Sequence, residues 1–280
     1  MCELCNRDYP VLDGIGRFLP DDRAEHFAPF LHDYTVVRMG EGRAHESPGY
    51  FRRLPEPTEG DPLSEQWAMR ARTWAAVQRH VIPSGPPSLT IIDVGAGTGW
   101  LSNRLARLYH DAAAVDLTVD RSDGLGAARH FNSDFGRYQA EMDALPFAAG
   151  TADIVVFNAS LHYSTDLERT LREALRVLGP NGRIVVMDSP IYRRESDGRS
   201  MVEERHEDFE RRFGTRSDSV PSIGFLTPDR LRALGTPMGL RWVEYDVWYG
   251  WRWAWRPWRA RLRRRREPSR FALLVAHRVG

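Results

Sequence analysis

Apolar residues in the middle of the chain fall into short runs that are separated by longer amphipathic stretches. The runs predict strands at residues 89–94, 112–117, 139–142, 153–158 and 183–188. Between them, apolar residues three or four positions apart predict helices, one of which ends near residue 178 at the turn sequence Gly-Pro-Asn-Gly. Strands that alternate with helices at this spacing are typical of a parallel, doubly wound α/β sheet with helices on both faces.

The two ends of the chain follow other patterns. Residues 1–62 are rich in Gly, Pro and Asp and predict an irregular N-terminal arm, whereas residues 63–280 are expected to form one α/β domain that opens with a helix near Ser64. Residues 189–226 have the composition of a charged helical insert, a candidate substrate cap. Two last strands are predicted at 240–248 and 271–278.

Charge is distributed unevenly over this pattern. All 39 basic residues are arginines, and with 38 acidic residues they leave a net charge of +1. Residues 251–270 alone carry +8, so that the remainder carries −7. A positive field this concentrated directs any anionic partner to one segment.

Composition also bears on the compartment and on metal binding. No apolar run reaches the ~20 residues of a membrane-spanning helix, and the N-terminus lacks the apolar stretch of a signal peptide, so we expect a soluble cytoplasmic protein. The pair Cys2-x-x-Cys5 resembles half of a small zinc ribbon, but a structural zinc needs four ligands. His26, His32 or a second protomer would have to complete the set. An arm that packs on the core is therefore favoured, and no metal is expected.

The strand at 89–94 leads directly into the sequence Gly-Ala-Gly-Thr-Gly at 95–99, after which a helix is predicted. In such a loop one glycine permits the tight turn, a second lets a ligand approach the backbone, and a third lets the helix pack against the strand. Asp93 precedes the loop. Asp116 closes the next strand, where an acid can accept hydrogen bonds from ribose hydroxyls.

Together with the residues just before it, this loop (DVGAGTG at 93–99) resembles the first motif of the class I S-adenosylmethionine-dependent methyltransferases. AVDL at 114–117 is similar to their ribose-binding motif. AEMDALPFAAGTADIVVFNASLHY at 140–163 resembles the adenine region of the group that includes quinone-biosynthesis C-methyltransferases, and ALRVLGPNGRIVVMD at 174–188 resembles the fifth strand with its preceding helix. The resemblance implies a Rossmann-like seven-stranded sheet with an antiparallel last strand, S-adenosylmethionine as cofactor, and methyl transfer.

The same resemblance implies roles for individual residues. The glycine loop would line the methionine portion of the cofactor, Asp116 would hold the ribose, and Leu117 and Met142 would sandwich the adenine. Glu141, or Asp143 in its place, would face the adenine amino group. The implied cofactor-binding set is Asp93, Gly95, Ala96, Gly97, Gly99, Asp116, Leu117, Glu141, Met142, Asn158 and Ala159, the last two at the amino-acid end.

Catalysis of methyl transfer depends more on placing the acceptor in line with the methyl group than on acid–base chemistry, because the methyl donor is already a strong electrophile. A base is needed only when the acceptor must lose a proton. His162, just after the fourth strand, is the candidate catalytic residue, as base or as substrate-orienting group. A structural hydrogen-bonding role is the alternative, and Tyr163 and Asp188 are weaker candidates. The family often places a lid ahead of the core, which makes Tyr50, Phe51, Trp67 and Arg70 candidate cap residues.

The last two predicted strands are separated by the insertion 249–270, beside the edge where ligands bind in such sheets. Six of the nine tryptophans fall within residues 242–258, among many arginines. The segment suits contact with an anionic membrane, contact with nucleic acid, or packing of Trp and Arg on the sheet edge. We expect a small-molecule or lipid-like acceptor. The alternatives are an RNA methyltransferase that uses this segment, although nucleic acid is the less expected partner, and a non-catalytic cofactor-binding regulator or scaffold.

Overall fold

The computed structural model describes residues 7–83 and 85–279. Within them the strands are β1 (Val11–Leu12), β2 (Ile15–Arg17), β3 (Thr90–Val94), β4 (Asp111–Asp116), β5 (Gly136–Gln139), β6 (Ala152–Asn158), β7 (Leu178–Met187), β8 (Leu240–Tyr245) and β9 (Leu273–Arg278). The α-helices are α1 (Asp21–Gly40), α2 (Pro48–Arg53), α3 (Ser64–His80), α4 (Trp100–Ala106), α5 (Leu167–Val177), α6 (Glu195–Phe213), α7 (Pro228–Gly235), α8 (Trp251–Ala254) and α9 (Arg256–Leu262). Short 3-10 helices lie at Leu125–His130, Leu161–Tyr163 and Thr236–Met238.

The strands form one sheet in the order β1-β2-β5-β4-β3-β6-β7-β9-β8. The strands from β5 to β7 in this order pair in parallel, and β9 runs antiparallel to both of its neighbours, β7 and β8. The predicted Rossmann-like α/β sheet of seven strands with an antiparallel last strand is therefore confirmed. The short strands β1 and β2 extend it at one edge.

The central strands are buried because both faces of the sheet are covered. Ile91 and Ile92, adjacent on β3, are 0% and 1% exposed and belong to two different hydrophobic clusters, one on each face. Successive side chains of a strand point to opposite faces, so an unbroken apolar run supplies both layers. On one face the layer is completed by Trp74 of α3 and Leu101 of α4, and on the other by Leu171 of α5.

The N-terminal segment is where the structure departs most from prediction. Residues 1–62 were expected to be irregular, whereas α1 has 20 residues and β2 pairs in parallel with β5. Pro29 lies inside α1, and acidic residues interrupt its apolar positions, so the helical pattern is weak in the sequence. Packing against the rest of the molecule stabilises a helix that its sequence signals poorly. The division into an arm over 1–62 and a methyltransferase domain over 63–280 stays a prediction.

Two smaller differences lie in the second half of the sheet. The Gly-Pro-Asn-Gly turn expected at 179–182 is part of the continuous strand β7, and a register shift in its pairing with β6 absorbs the irregularity. β5 ends at Gln139, so residues 140–142, expected in a strand, leave the sheet. The charged helix expected within residues 189–226 is α6. After it, α7 begins with Thr227 as its N-cap, where Thr227 Oγ1 accepts a hydrogen bond from Arg230 N at 3.2 Å.

Candidate active site

A cavity of about 330 Å³ opens at the C-terminal ends of β3, β4, β6 and β7. Ligands bind at this edge in open α/β sheets, because the loops that follow parallel strands converge there. Most of the predicted cofactor-binding residues meet in this cavity. Those that line it are Gly95, Ala96, Gly97, Asp116, Leu117, Glu141, Met142, Asn158 and Ala159.

The glycine loop leaves open space next to the backbone at Gly97. Gly97 has φ +55°, and a Cβ built there would meet no described atom within 4 Å. A Cβ on Gly95, at φ +73°, would lie 2.3 Å from the Cβ of Ser160. Gly99 is outside the described lining of the cavity and instead caps α4, where a Cβ would come within 3.1 Å of the Phe135 ring. Close packing therefore requires glycine at 95 and 99, whereas Gly97 borders open space in the cavity.

Asp116 is held by the loop that it faces. Its Oδ2 accepts a hydrogen bond from Gly97 N at 2.7 Å, and its Oδ1 accepts one from Thr118 N at 2.8 Å. Burial raises the pKa of Asp116, and the two backbone hydrogen bonds oppose that rise. A carboxylate has about four acceptor positions, so Asp116 retains the capacity to accept from two hydroxyl groups.

Leu117 and Met142 line the cavity at the predicted adenine position. Glu141 beside them is engaged by Arg23 of α1, whose Nε and Nη2 each donate a hydrogen bond of 2.7 Å to one carboxylate oxygen. Asp143, the alternative acid, forms an ion pair with Arg169 at 3.1 Å. α1 therefore orients the acid that was predicted to face the adenine amino group.

The amino-acid end of the predicted cofactor site contains an unsatisfied acceptor. Asn158 Oδ1 is buried, lines the cavity through its residue, and has no hydrogen-bond partner within the described chain. Ala159 directly after it has φ +54°, and Asp188, at the end of the next strand, has φ +53°. Non-glycine residues adopt this backbone at a cost and cluster at functional sites. An ammonium group would satisfy the Asn158 oxygen, and open space at Gly97 admits a chain beside it, so these residues fit the methionine portion of S-adenosylmethionine.

Asp93 lies behind the loop. It is fully buried, its Oδ2 accepts a hydrogen bond from Ser102 Oγ of α4 at 2.9 Å, and it is outside the described lining of the cavity. Burial raises the pKa of Asp93 to about 7. This geometry ties the start of α4 to β3, and a cofactor-binding role for Asp93 stays a prediction.

His162 lines the cavity and is 7% exposed. Its Nδ1 lies 3.3 Å from Ser189 Oγ, and its carbonyl accepts a hydrogen bond from Gly224 N at 2.8 Å. Burial, together with the nearby Arg205, lowers the pKa of His162 to about 3. The imidazole is therefore neutral at physiological pH and suits hydrogen bonding better than proton uptake.

The opposite wall of the cavity is aromatic. The four candidate cap residues, Tyr50, Phe51, Trp67 and Arg70, all line it, and Trp67 Nε1 donates a hydrogen bond of 2.7 Å to the Tyr50 hydroxyl. α1 also contributes to this wall, which was not predicted because Pro29 and acidic residues interrupt its helical pattern. The α1 residues in the lining are Phe27, Phe30, Leu31, Tyr34 and Arg38. The insert adds Val220 and Ser222, as expected of a cap.

Three arginines line the cavity, and they differ in their partners. Arg38 forms an ion pair with Asp123, and Arg43 forms one with Glu41. Arg70 makes neither a hydrogen bond nor an ion pair with any residue that the structure describes, and its guanidinium lies 4.8 Å from the Trp67 ring centroid. Burial lowers the pKa of Arg70 to about 10, so it remains a cation at neutral pH.

Tyr163 and Asp188 also line the cavity. Asp188 Oδ1 accepts a hydrogen bond from Thr73 Oγ1 at 2.7 Å, and burial raises the pKa of Asp188. Its Oδ2 is buried and has no hydrogen-bond partner in the part of the chain that is described, and the nearby Arg70 opposes the rise in pKa.

No cluster of three or more His, Cys, Asp or Glu side chains able to hold a metal ion occurs within 7–83 and 85–279, and Cys2 and Cys5 lie outside the described residues. No helix in the described part of the chain is both long enough and apolar enough to cross a membrane.

Known proteins share this fold and these motifs. Residues 92–186 match the methyltransferase domain family. Malonyl-[acyl-carrier protein] O-methyltransferase of Hahella chejuensis is 37% identical over 97 residues, which cover 34% of each chain. Ubiquinone/menaquinone biosynthesis C-methyltransferase UbiE of Klebsiella pneumoniae is 33% identical over 105 residues, covering 35% of this chain and 42% of that protein. The match thus spans about a third of the length of the first of these relatives.

Among solved structures, the YcgJ protein of Bacillus subtilis superimposes with a TM-score of 0.54 at 13% identity, covering 75% of this chain and 99% of that one, which shows the shared fold. The sheet order, the glycine loop with its acid, and the sequence matches all point to a methyltransferase domain. Over residues 92–186 the chain therefore contains a class I S-adenosylmethionine-dependent methyltransferase domain, which is homologous to that of the malonyl-[acyl-carrier protein] and ubiquinone/menaquinone enzymes.

Proposed function

We propose that the protein transfers a methyl group from S-adenosylmethionine to a small-molecule or lipid-like acceptor. The observation that carries this proposal is a single cavity that runs from the glycine loop and Asp116 to the aromatic wall of α1 and α3. One compartment with a polar cofactor end and an apolar end is what transfer between two bound molecules requires.

The chain's own residues would hold and orient the two reactants. Gly97 would admit the cofactor against the backbone, Asp116 would accept hydrogen bonds from its ribose, and Asn158 Oδ1 would accept one from its ammonium group. When bound, the cofactor supplies an electrophilic methyl group. His162 would act as a neutral hydrogen-bonding group that orients the acceptor, because its low pKa makes it a weak base.

The acceptor end favours an apolar molecule that carries an acidic group. Aromatic side chains of Phe30, Tyr34 and Trp67 supply apolar contact, and Arg70 offers a cation that makes no hydrogen bond or ion pair in the described chain. Asp188 attracts Arg70 through space but forms no ion pair with it, so an acidic group of the acceptor would be free to pair with the guanidinium directly. Relatives named for malonyl-[acyl-carrier protein] O-methylation and for ubiquinone/menaquinone biosynthesis support an acceptor of this general kind.

Calorimetry with S-adenosylmethionine tests the cofactor site. We expect binding by the unaltered protein and at least ~10-fold weaker binding by Asp116→Ala, a loss of about 1.4 kcal/mol or more. Asp111→Ala is the matched control, because Asp111 is exposed at the other end of the same strand. Absence of binding by the unaltered protein, or equal affinity in Asp116→Ala, refutes the proposal.

Transfer of a labelled methyl group distinguishes the acceptor classes. We expect label in small molecules or lipids extracted from cells and none in bulk tRNA. Label in tRNA would establish the RNA methyltransferase alternative, and cofactor binding without transfer to any fraction would favour the regulatory alternative.

A further inference from the structure

The insertion between β8 and β9 presents an apolar face to solvent. Four of its residues, Trp251, Trp255, Trp258 and Leu262, are 74%, 53%, 58% and 71% exposed. Trp255 joins α8 to α9 and keeps a right-handed helical backbone. At 3.6 residues per turn, spacings of four, three and four positions keep all four side chains within about 60° around the axis. We call these four residues the exposed stripe.

The exposed stripe contradicts simple packing of the tryptophans on the sheet edge. The opposite face of this segment contacts the protein: Trp253 lies 5.5 Å from the ring of Tyr249 and 5.5 Å from that of Phe271, and Arg256 covers the Trp253 ring at 3.7 Å. Phe271 lines the cavity, and the Tyr249 hydroxyl is 2.8 Å from Thr73 Oγ1. The segment is therefore anchored to the cavity wall while the stripe faces outward.

Unpaired positive charge surrounds the exposed stripe. Five arginines of the same segment are exposed and have no hydrogen bond or ion pair from their side chains to described residues: Arg259, Arg261, Arg263, Arg264 and Arg265. Elsewhere on the surface, arginines such as Arg172 and Arg216 pair with nearby carboxylates. The cluster is therefore available to an external anionic surface.

The geometry points to an anionic lipid surface as the partner: we propose that the exposed stripe inserts at the headgroup level of a membrane while the five arginines bind anionic lipid. A helix with an apolar stripe rich in Trp and with a basic polar face lies in the plane of such an interface. The anchoring contacts would then bring the cavity mouth to the membrane, where a lipid-like acceptor would be found.

Other occupants fit the stripe less well. A second copy of the chain would bring two unpaired arginine clusters together, which is electrostatically unfavourable. Nucleic acid bases stack on the open faces of separate aromatic rings. Here the Trp255 and Trp258 rings meet edge to face at 84°, as do those of Trp248 and Trp251 at 86°, so that they form a continuous apolar ridge.

Flotation with phosphatidylcholine vesicles, with and without phosphatidylglycerol, tests the proposal on the full chain without cofactor or acceptor. We expect flotation only with phosphatidylglycerol and weaker flotation as salt rises. Trp255→Ser/Trp258→Ser should lower partitioning more than about 10-fold. Arg259→Ser/Arg261→Ser should lower it about 25-fold, since each arginine near the surface contributes about 5-fold.

The controls change the same chemistry away from the stripe. Arg79→Ser/Arg107→Ser removes two exposed arginines of α3 and the segment after α4, and Tyr109→Ser removes an aromatic ring that is 89% exposed. Both should float like the unaltered protein, and thermal unfolding should show that all variants are folded.

Three outcomes would overturn the proposal. The first is an unaltered protein that stays with the soluble fraction in anionic vesicles at low salt. The second is equal flotation of Trp255→Ser/Trp258→Ser. The third is loss of a dimer, or loss of tRNA binding, in that variant without any vesicle binding by the parent. Because no step uses S-adenosylmethionine, these outcomes leave the proposed activity untouched.

Discussion

Alanine substitution of two glycines separates the roles inside the glycine loop. Gly97→Ala tests the space for a ligand, and Gly95→Ala tests close packing. Gly97→Ala places a methyl group where no described atom lies within 4 Å, at φ +55°. The left-handed backbone costs an alanine about 1–2 kcal/mol, so the free energy of unfolding should fall by that amount. Because the methyl group occupies the space next to the backbone, cofactor affinity should fall at least ~10-fold.

Gly95→Ala is the counterpart. It meets the same left-handed cost at φ +73°, and its Cβ would lie 2.3 Å from Ser160 Cβ. Ser160 also donates a hydrogen bond from Oγ to the Val94 carbonyl, so it cannot move freely. Overpacking of this kind adds about 1–3 kcal/mol, and the free energy of unfolding should fall by about 2–5 kcal/mol in total.

Urea unfolding and calorimetry with S-adenosylmethionine measure the two effects separately. We expect Gly97→Ala to be the more stable variant and yet to bind the cofactor weakly at a temperature where it is fully folded. If Gly97→Ala binds the cofactor as tightly as the unaltered protein, the space beside Gly97 is not part of the cofactor site. If Gly95→Ala is no less stable than Gly97→Ala, the contact with Ser160 does not constrain the loop.

Three further predictions concern buried ionisable groups. The pKa of Asp93 rises from the ordinary value of 3.8 to about 7 in the folded protein. Between these two pH values folded Asp93 holds a proton that the unfolded chain has released, so the free energy of unfolding should fall as pH rises, by at most about 1.4 kcal/mol per pH unit. Urea unfolding measured against pH should show a flatter curve for Asp93→Asn. His162→Gln should lower kcat/KM without moving its pH profile between about pH 5 and 8, because the pKa of His162 is about 3; loss of an inflection in that range would contradict a neutral His162. Arg70→Met should raise the KM for the acceptor, with cofactor affinity unchanged, because it removes the cation at the acceptor end of the cavity; an unchanged KM would show that Arg70 does not bind the acceptor.

The sheet could be predicted from the sequence because its signal is local. Each central strand is buried on both faces and therefore consists of consecutive apolar residues, as at Ile91 and Ile92 of β3. The glycine loop could also be predicted from the sequence, because a left-handed backbone favours glycine at defined positions. The clustering of Gly97, Asp116 and Asn158 then follows from topology, which brings the ends of parallel strands to one edge.

The cavity wall of α1 could not be predicted in the same way. Phe27, Phe30 and Tyr34 are far from the glycine loop in sequence, and Pro29 interrupts the helical pattern. The bond of Arg23 to Glu141 joins residues 118 positions apart. Nothing local in either segment specifies such a partner, because pairing of this kind depends on how α1 crosses the sheet edge.

The amino-acid sequence alone determined the order of the central strands, the glycine loop and the place of the basic insertion, because these depend on residue type and spacing. Only the tertiary structure decided which face each side chain presents. It turned Trp253 toward the cavity wall and the exposed stripe toward solvent, placed the Arg70 guanidinium beside the Trp67 ring, and buried His162 deeply enough to keep it neutral. The physical reason is that burial and the local dielectric, which set exposure, charge and pKa, arise from contacts between segments distant in the chain.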